Sequence, residues 1–289
     1  MKLQLFLFFL MSHYLVSAQN DPELFPANDR KGGGLGYFLE DGTNVVKGQF
    51  CSATYNIDGY YIVSIAEHEI DENGNENANH IPETEKFGLL NSKGKFIINF
   101  EDNYSSINVE NKMIVVQKNN LYGVVNEKNK IVIPFEYDEF EIQNQEIIIV
   151  KKNNKTAVIN YENKIIVPFI YDEIFSFIEN KTTHNFFVIA KKKDEMGVVD
   201  RNNKIVVPFL NQNLEFITEK LICLKKGEKY RLVDFNLKPF IEKDFKSMYQ
   251  VDIDKSKIYA EDENYGYYFT DSGKVLKKEK LVKQEEYQK

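Results

Sequence analysis

Short apolar runs separated by polar turns recur along most of this chain. Between Gln145 and Phe169 three such runs, Glu146 to Lys151, Thr156 to Asn160 and Lys164 to Val167, are four to six residues long and rich in Ile and Val. Runs of this length and composition favour strands over helices. The Asn residues between them suit tight turns, because Asn tolerates a positive φ. The pattern predicts a three-stranded antiparallel meander.

The meander recurs with a period of about 35 residues. Its core is a large side chain, Gly or a substitute, two apolar residues, Asn or Asp, and a Lys seven positions after the Gly. The Gly position is occupied by Gly36, Gly88, Gly123, Ala157, Gly197, Arg231 and Gly266. The residue before it is Phe87, Tyr122, Thr156, Met196 or Tyr230 in the five central copies. We predict seven units in which the aromatic residues at this position are core anchors and the Gly allows close backbone approach.

A proline keeps step with this pattern. Pro134, Pro168 and Pro208 each follow the Gly position by eleven residues. Because Pro lacks the N–H that a strand ladder needs, we expect it to end the third strand, with a connection after it.

Acidic pairs follow two of these prolines, in Tyr137-Asp138-Glu139 and Tyr171-Asp172-Glu173. They resemble catalytic carboxylates, but a feature that recurs with the repeat favours a structural role. We expect Asp or Tyr to hold the turn after the proline through local hydrogen bonds.

These features resemble the WG-repeat family, also written KWG. The family unit has a Trp-Gly-x-aliphatic-Asp/Asn core, a Gly-Lys, an Ile-x-Pro and a Tyr-Asp. The resemblance covers roughly Leu35 to Leu276 and departs in one respect, since the chain has no Trp and places Phe, Tyr, Met or Thr there. It implies a non-catalytic interaction or structural repeat, found in bacterial proteins that are often exported, with an undetermined ligand.

The apolar runs also indicate how the units associate. The run from Ile147 to Val150 does not alternate with polar residues, so both faces of the strand should be covered, and the units must stack on one another. Two all-β arrangements satisfy this, an open β-solenoid-like array and a closed seven-bladed propeller-like ring. Propeller blades usually have four strands and ~40–45 residues, so the shorter units here favour the open array.

The chain ends have their own patterns. Residues 1–18 carry one Lys, an apolar run from Leu5 to Met11 and the small residues Ser17 and Ala18, which is the layout of a cleavable signal peptide. No Cys follows the cleavage point, so a lipid anchor is not expected, and no other segment reaches the ~20 apolar residues of a membrane span. We predict a secreted, periplasmic or cell-envelope protein with no membrane span after signal removal.

The domain organisation follows from these boundaries. We predict a flexible segment over residues 19–34, a repeat domain over 35–276 and a charged tail over 277–289 that is a frayed helix or disordered. The Gly-rich stretch from Lys31 to Gly36 lacks the Gly-Lys-Ser/Thr ending of a phosphate loop and precedes a strand, so it is interpreted as a flexible entry to the first repeat.

The net charge limits the classes of binding partner, and the cysteine content limits the possible disulfide bonds. The formal net charge at pH 7 is -7, and removal of Lys2 with the signal makes it more negative, which argues against nucleic-acid binding. The sequence favours a protein or glycan partner and no cofactor. Cys51 and Cys223 are too few for a disulfide framework. A bond between them and two free thiols both stay open.

The longest break in the period is an acidic, Asn-rich insertion, residues 67–86. Asp71, Asn73 and Asn75 place oxygen side chains at alternate positions, as calcium loops do. The calcium-loop pattern needs Gly and Glu where this chain has Glu76 and Pro82, so a solvated hairpin is favoured.

Two histidines, His68 and His80, flank the tip of this insertion. They would pair on a metal with Glu67 or Glu69, although two histidines twelve residues apart are a weak signal.

The sequence therefore predicts an exported, non-catalytic β-repeat scaffold that binds a protein or glycan. No Gly-x-Ser-x-Gly motif is present to support a nucleophilic enzyme. The alternatives are a calcium-stabilised adhesion-like module and an enzyme with its site at the insertion loops, because insertions in repeats map to loops on one face.

Overall fold

The computed structural model describes residues 21–281 except 32, 75, 145, 181–184, 251–256 and 271. The predicted signal peptide and Asn75 lie outside the described residues. The described part of the chain is all-β, as predicted, and its helices are two 3-10 turns. None of these helices is long and apolar enough to cross a membrane. The described residues fall into two compact bodies with the boundary between Asp102 and Asn103.

The first body holds two sheets and a separate hairpin. The sheet orders are β1-β2-β3 and β4-β5-β8-β9, and β6 pairs with β7 alone. The elements are β1 Phe25–Asn28, β2 Leu35–Phe38, β3 Asn44–Phe50, β4 Ser52–Ala53, β5 Tyr60–Ile65, β6 His68–Ile70, β7 Glu76–His80, β8 Lys86–Asn91 and β9 Phe96–Ile98, with 3-10 turns at Pro82–Thr84 and Phe100–Asp102.

The second body holds five sheets in chain order. Their orders are β10-β11-β12-β13, β14-β15-β16-β17, β18-β19-β20-β21, β22-β23-β24 and β25-β26-β27-β28, all antiparallel. The strands of the first three sheets are β10 Ser106–Glu110, β11 Met113–Lys118, β12 Leu121–Val125, β13 Ile131–Tyr137, β14 Glu139–Asn144, β15 Ile147–Lys152, β16 Lys155–Ile159, β17 Ile165–Tyr171, β18 Glu173–Asn180, β19 Asn185–Lys192, β20 Glu195–Asp200 and β21 Ile205–Leu210. Those of the last two are β22 Asn213–Thr218, β23 Leu221–Lys226, β24 Lys229–Asp234, β25 Ser247–Gln250, β26 Lys257–Glu261, β27 Tyr265–Thr270 and β28 Val275–Lys280.

The seven main sheets are the seven predicted units. Each Gly-equivalent position lies in a strand of a different sheet. The prediction of three strands per unit is wrong for five of the sheets, which have four. The added strand is the segment first interpreted as a connection: Glu139–Asn144, for example, pairs with β15 along most of its length. Neighbouring backbone supplies its hydrogen bonds, so a polar segment becomes a strand.

The prolines do not end their strands, contrary to the prediction. Pro134 lies inside β13, an edge strand that pairs only with β12. Tyr122 pairs with Tyr137 and Val124 with Ile133, so residues 134–136 form a bulge opposite Gly123. The missing N–H of Pro134 costs little there, because no ladder bond is required of it.

The bulge explains the glycine of the repeat. A Cβ atom at Gly123 would lie 2.8 Å from the carbonyl oxygen of Ile133 and 3.0 Å from Cδ1 of Phe135. Gly197 faces Phe209 in the same way, at 3.0 Å. The predicted close backbone approach is therefore present, and a Phe ring closes over it.

The residue before the Gly is not the core anchor that the sequence predicts. Phe87, Tyr122, Met196 and Tyr230 are only half-buried. Tyr122 forms the outermost pair between β12 and β13, opposite Tyr137. The buried positions are instead the apolar residues after the Gly and the Tyr after the Pro: Val124, Val158 and Val198 are fully buried, and Tyr137 and Tyr171 are 3% exposed.

Both predicted flexible ends include ordered strands. Phe25–Asn28 pairs with β2, and the buried Leu24 donates its backbone N–H to the Tyr61 hydroxyl at 2.9 Å. Residues 277–280 belong to β28, which pairs with β27. The charged run Lys277-Lys278-Glu279-Lys280 suits such an edge strand, because charge discourages pairing with another chain. The rest of the predicted tail, residues 282–289, lies outside the described residues.

Candidate functional site

The Asn or Asp after the two apolar residues holds a turn. Asn126 Oδ1 accepts hydrogen bonds from the backbone N–H groups of Lys128 and Lys130, at 2.9 and 3.1 Å. The same pair of bonds recurs at Asn91, Asn160, Asp200, Asp234 and Thr270. These recurrent oxygens are occupied by the backbone, and their role is structural.

The Tyr after the Pro joins one sheet to the next. The Tyr137 hydroxyl donates to Asn163 Oδ1 at 2.6 Å, and its ring stacks on Phe169 with centroids 6.2 Å apart. Tyr171 makes the same two contacts with Asn203 and Phe209. Tyr104 makes them with Asn129 and Phe135. The recurrent Tyr is therefore a joint between units.

The recurrent Asp after the Tyr holds a hairpin turn. Asp138 Oδ2 accepts from the backbone N–H of Asn153 at 3.0 Å, and Asp172 accepts from the backbone N–H of Lys193 and from Lys155 Nζ. The hydrogen bond from Lys155 is the main cause that lowers the pKa of Asp172. The turns held are fifteen and twenty-one residues away. The expected local bond at the proline is thus replaced by a longer-range one.

A cavity of about 560 Å³ lies at one end of three successive sheets of the second body. It is built from the turns β10–β11, β14–β15, β16–β17 and β20–β21 and from nearby strand residues, including Glu179 of β18 and Phe186 of β19. Its floor is apolar, with Met113, Ile147 and Phe186 each 2% exposed. Its remaining lining residues are Asn111, Lys112, Glu146, Asn160, Tyr161, Glu162, Ile166, Glu179 and Arg201.

The rim of this cavity carries both signs of charge. Lys112, Glu146, Glu162 and Arg201 are exposed. The Arg201 guanidinium lies 6.0 Å from the centroid of the Phe186 ring, so a cation sits over the apolar floor. No single residue marks this site in the sequence, because it exists only once three units stand side by side.

The insertion over residues 67–86 folds as a hairpin, β6 and β7. Its base is closed by two hydrogen bonds, from Glu67 N to Thr84 Oγ1 and from Ile81 N to Glu67 O, both 2.8 Å. At its tip, the exposed Asp71 accepts the N–H of Asn73 on its carboxylate and that of Gly74 on its carbonyl. The insertion is therefore a hairpin, as predicted, and residues 71–74 at its tip are exposed.

His68 and His80 face each other across this hairpin. They pair in register, and their rings stack with centroids 4.6 Å apart at an interplanar angle of 20°. The Sγ of Cys51 joins them, and one donor atom from each of the three residues lies within 4.8 Å of the others. The expected carboxylate partners are not in this set; Glu69 Oε2 instead accepts a hydrogen bond from Asn79 Nδ2.

Cys51 was not expected in this group. It immediately precedes β4, whose Ser52 pairs with Ser64 near the end of β5, and the inserted hairpin begins just after β5. One feature of the sequence could have placed Cys51 near the histidines: the insertion starts at the end of the strand that pairs beside Cys51.

Both cysteines are free thiols. Burial, followed by the charge of Glu215, raises the pKa of the Cys223 thiol to about 12. Cys51 is only half-buried, and it accepts a hydrogen bond from the backbone N–H of Ala66 at 3.2 Å from its Sγ.

An ion pair borders the last sheet, between the β24–β25 connection and the β26–β27 turn. Lys243 Nζ bonds to Asp262 Oδ2 and to the Tyr267 hydroxyl, and that hydroxyl donates to Asp262 at 3.0 Å. Burial opposes the charged carboxylate, but Lys243 and the backbone N–H groups of Asn264 and Tyr265 hold the pKa of Asp262 well below its usual value. The two charges are paired with each other, and Lys243 stays partly exposed, so the pair stabilises this end of the chain modestly.

A family model described as WG containing repeat matches residues 87–122, 122–155, 158–193 and 196–230. A search of curated protein sequences finds no match.

Solved structures resemble this chain only distantly. The chain is similar to a dihydro-heme d1 dehydrogenase, NirN, in complex with DHE, with 11% identity and a TM-score of 0.39 over 90% of this chain and 64% of that one. It is similar to Kluyvelomyces marxianus Hsv2, with 8% identity and a TM-score of 0.38 over 90% and 93%. It is similar to a chain of a nidogen/laminin complex, with 8% identity and a TM-score of 0.32 over 76% and 89%. The chain spans less than two thirds of the first, and no activity is carried over from any of them.

Proposed function

Because the chain belongs to the family of WG-containing repeats, matched over residues 87–230, we propose that it is an exported, non-catalytic scaffold that binds a protein or glycan partner. The cavity at the ends of three successive sheets is the observation that carries this proposal. The cavity lies within the repeat units. The residues that recur from unit to unit form hydrogen bonds within turns or contacts between sheets, so the variable residues around the cavity are the ones that would bind a partner.

The lining favours recognition of a protein segment. A buried apolar floor with a charged rim is the usual composition of a site for an anchoring side chain. Lys112 and Arg201 supply positive charge and Glu146 and Glu162 negative charge, so a partner would be oriented as well as held. A glycan would use the same rim through its hydroxyl groups and would stack on Tyr161, which is half-buried.

The non-catalytic part of the proposal rests on the state of the acidic groups. Asp138 and Asp172 hold hairpin turns, and Asp262 is paired with Lys243. A general acid or base needs a pKa near the working pH. The pKa of Asp172 and that of Asp262 are instead lowered.

Charge reversal at the rim tests the proposal. We expect Arg201→Glu to weaken capture of the partner from a cell-envelope extract by about tenfold or more, because an oriented charge pair would become repulsive. Lys204→Glu is the matched control, since it makes the same charge change in the same exposed turn outside the cavity lining. Equal capture by both variants and the unchanged protein would place the binding surface elsewhere. Hydrolysis of a panel substrate that is lost in Arg201→Glu would favour an enzyme.

Export is tested separately. Intact-mass measurement of the protein from the envelope or medium should give a chain that begins at Gln19. Recovery of a chain that retains residues 1–18 would contradict a cleaved signal.

A further inference from the structure

The hairpin insertion of the first body brings together three side chains that are used in metal binding. We propose that Cys51, His68 and His80 form a binding site for a zinc-class transition-metal ion. The proposal is independent of the partner-binding cavity, which lies in the second body.

The histidines are held in a chelating arrangement by the strand register. His68 and His80 are direct cross-strand partners, so both side chains leave the same face of the hairpin. Their rings stack with centroids 4.6 Å apart, and one nitrogen of each ring lies within 4.8 Å of the other and of Cys51 Sγ. Glu69, next to His68 along β6, points to the opposite face and bonds to Asn79.

Cys51 is held in place from the main sheet. Its backbone N–H donates to the carbonyl of Ser64 at 2.8 Å, and its Sγ accepts the N–H of Ala66 at 3.2 Å. The same sulfur also lies 3.8 Å from the carbonyl oxygen of Ala66, so two contacts with one residue fix the position of this donor atom. The residue after Ala66 begins the hairpin, so the anchor of the thiol and the start of the insertion are adjacent.

The three donor atoms lie near the spacing that a metal requires. They are within 4.8 Å of one another. A tetrahedral zinc ion with Zn–N bonds of about 2.0–2.1 Å and Zn–S of about 2.3 Å separates its ligand atoms by roughly 3.3–3.8 Å. The donor atoms would have to approach one another by about 1–1.5 Å, a distance that rotation about side-chain torsions can supply.

The donor chemistry selects the class of ion. A thiolate and two imidazoles suit Zn²⁺ or copper and do not suit Ca²⁺ or Mg²⁺, which prefer oxygen. Three protein ligands leave a fourth position for water or for a group from a partner. The acidic residues Glu67, Asp71 and Glu72 of the same insertion are exposed and favour the approach of a cation.

A metal here would fasten the insertion to the sheet that carries Cys51. The hairpin pairs with no other strand, and its described backbone bonds to the rest of the body lie at its base. Cross-linking of three ligands from separate segments stabilises the folded form in proportion to metal affinity.

Titration of the reduced, metal-free full chain with Zn²⁺ tests the proposal. Calorimetry should show one tight site per chain, and Co²⁺ as a second probe should give the intense near-ultraviolet band of a thiolate ligand. Cys51→Ser and His80→Gln should each weaken binding by at least about tenfold. Cys223→Ala is the matched control, since it removes the other thiol, and it should bind as the unchanged chain does.

The fold of each variant is checked by its circular dichroism. His80 is exposed, so His80→Gln should keep the native spectrum. Absence of Zn²⁺ binding, or tight binding that persists in a Cys51→Ser/His80→Gln double variant, would overturn the proposal. A Co²⁺ complex without the thiolate band would remove Cys51 from the site and overturn it in the form given.

Discussion

The Tyr137 hydroxyl donates a hydrogen bond to Asn163 Oδ1 at 2.6 Å, across the step from one four-stranded sheet to the next. Tyr137 is 3% exposed, and Asn163 has a φ of 60° in the turn between β16 and β17. One bond therefore links the last strand of one unit to the turn of the next, and its equivalents occur at Tyr104 and Tyr171. This hydrogen bond is a recurrent contact between consecutive units.

We expect Tyr137→Phe to lower the free energy of unfolding by about 1 kcal/mol, because it removes the bond and keeps the stacked ring. Tyr137→Ala should cost roughly 3–5 kcal/mol, because the ring contact with Phe169 is also lost. Urea unfolding measures both. A double-mutant cycle with Asn163→Gly, which retains the positive φ, isolates the bond. A coupling energy near zero would show that the stacked ring alone joins the sheets.

The stability of the fold should fall at high pH, because the Tyr137 hydroxyl must lose its proton there. Burial and the neighbouring Glu136 carboxylate raise the pKa of Tyr137 to about 12 from its ordinary value of 10.0. The folded state therefore keeps its proton where the unfolded state loses it. This contribution is fully present below pH 10 and is lost as pH rises toward 12. Urea midpoints measured between pH 8 and about 11 should fall, and Tyr137→Phe should show a shallower fall. Equal slopes would assign the effect to other groups, such as the buried Cys223 thiol.

The repeat was predictable from sequence because its signals are local. Spacing located all seven sheets, and the turn-forming Asn residues lie where the pattern placed them. The added strand was missed because its evidence is non-local: Glu139–Asn144 alternates polar and apolar residues, but only its pairing with β15 makes it a strand. The proline led to the same error, since an edge position that tolerates Pro134 is a property of the assembled sheet.

The candidate sites also divide into residues that local sequence signals identify and residues that only long-range contacts bring together. His68 and His80 were visible as a pair in one insertion, whereas Cys51 enters only through the pairing of β4 with β5. The cavity could not be predicted from the sequence, because the residues that line it are distant in sequence and come together only when three sheets lie side by side. The choice between an open array and a closed ring stays a prediction.

One hairpin turn contains a residue that suits it poorly. Lys193 has a φ of 60°, where the equivalent position in the preceding sheet is Asn153 with a φ of 52°. We expect Lys193→Asn to raise the free energy of unfolding by about 0.5–1 kcal/mol, because Asn adopts the left-handed region more readily. The backbone bond to Asp172 is kept. Asn153→Lys is the reciprocal control and should destabilise by a similar amount. Thermal unfolding midpoints that change in the same direction in Lys193→Asn and Asn153→Lys would contradict backbone strain at Lys193.

The glycine under the Phe ring should resist even a methyl group. In Gly123→Ala the new Cβ would meet the carbonyl of Ile133 at 2.8 Å, and that atom belongs to the backbone and cannot rotate away. We expect a cost of about 1–3 kcal/mol, measured by urea unfolding. The chain offers its own comparison, because Ala157 occupies this position in the next sheet and is fully buried. Ala157→Gly should cost less, near 1 kcal/mol, since it removes one methyl and adds backbone freedom. A cost at Gly123 no larger than this would mean that the bulge shifts to accept the side chain.

Acid should weaken the last sheet through Asp262. Burial acts against the charged carboxylate, but the bonds from Lys243 and from the N–H groups of Asn264 and Tyr265 outweigh it, so its pKa is lowered below the ordinary 3.8. A lowered pKa stabilises the fold above the unfolded value, and this contribution is lost as pH falls through and below about 4. We expect Asp262→Asn to cost about 1–2 kcal/mol at pH 7, a modest value because Lys243 stays partly hydrated. The variant should also show a shallower loss of stability between pH 5 and about 2. Urea unfolding across that range measures both effects. Parallel pH curves for the two proteins would show that the Lys243–Asp262 pair does not set the acid sensitivity of this sheet.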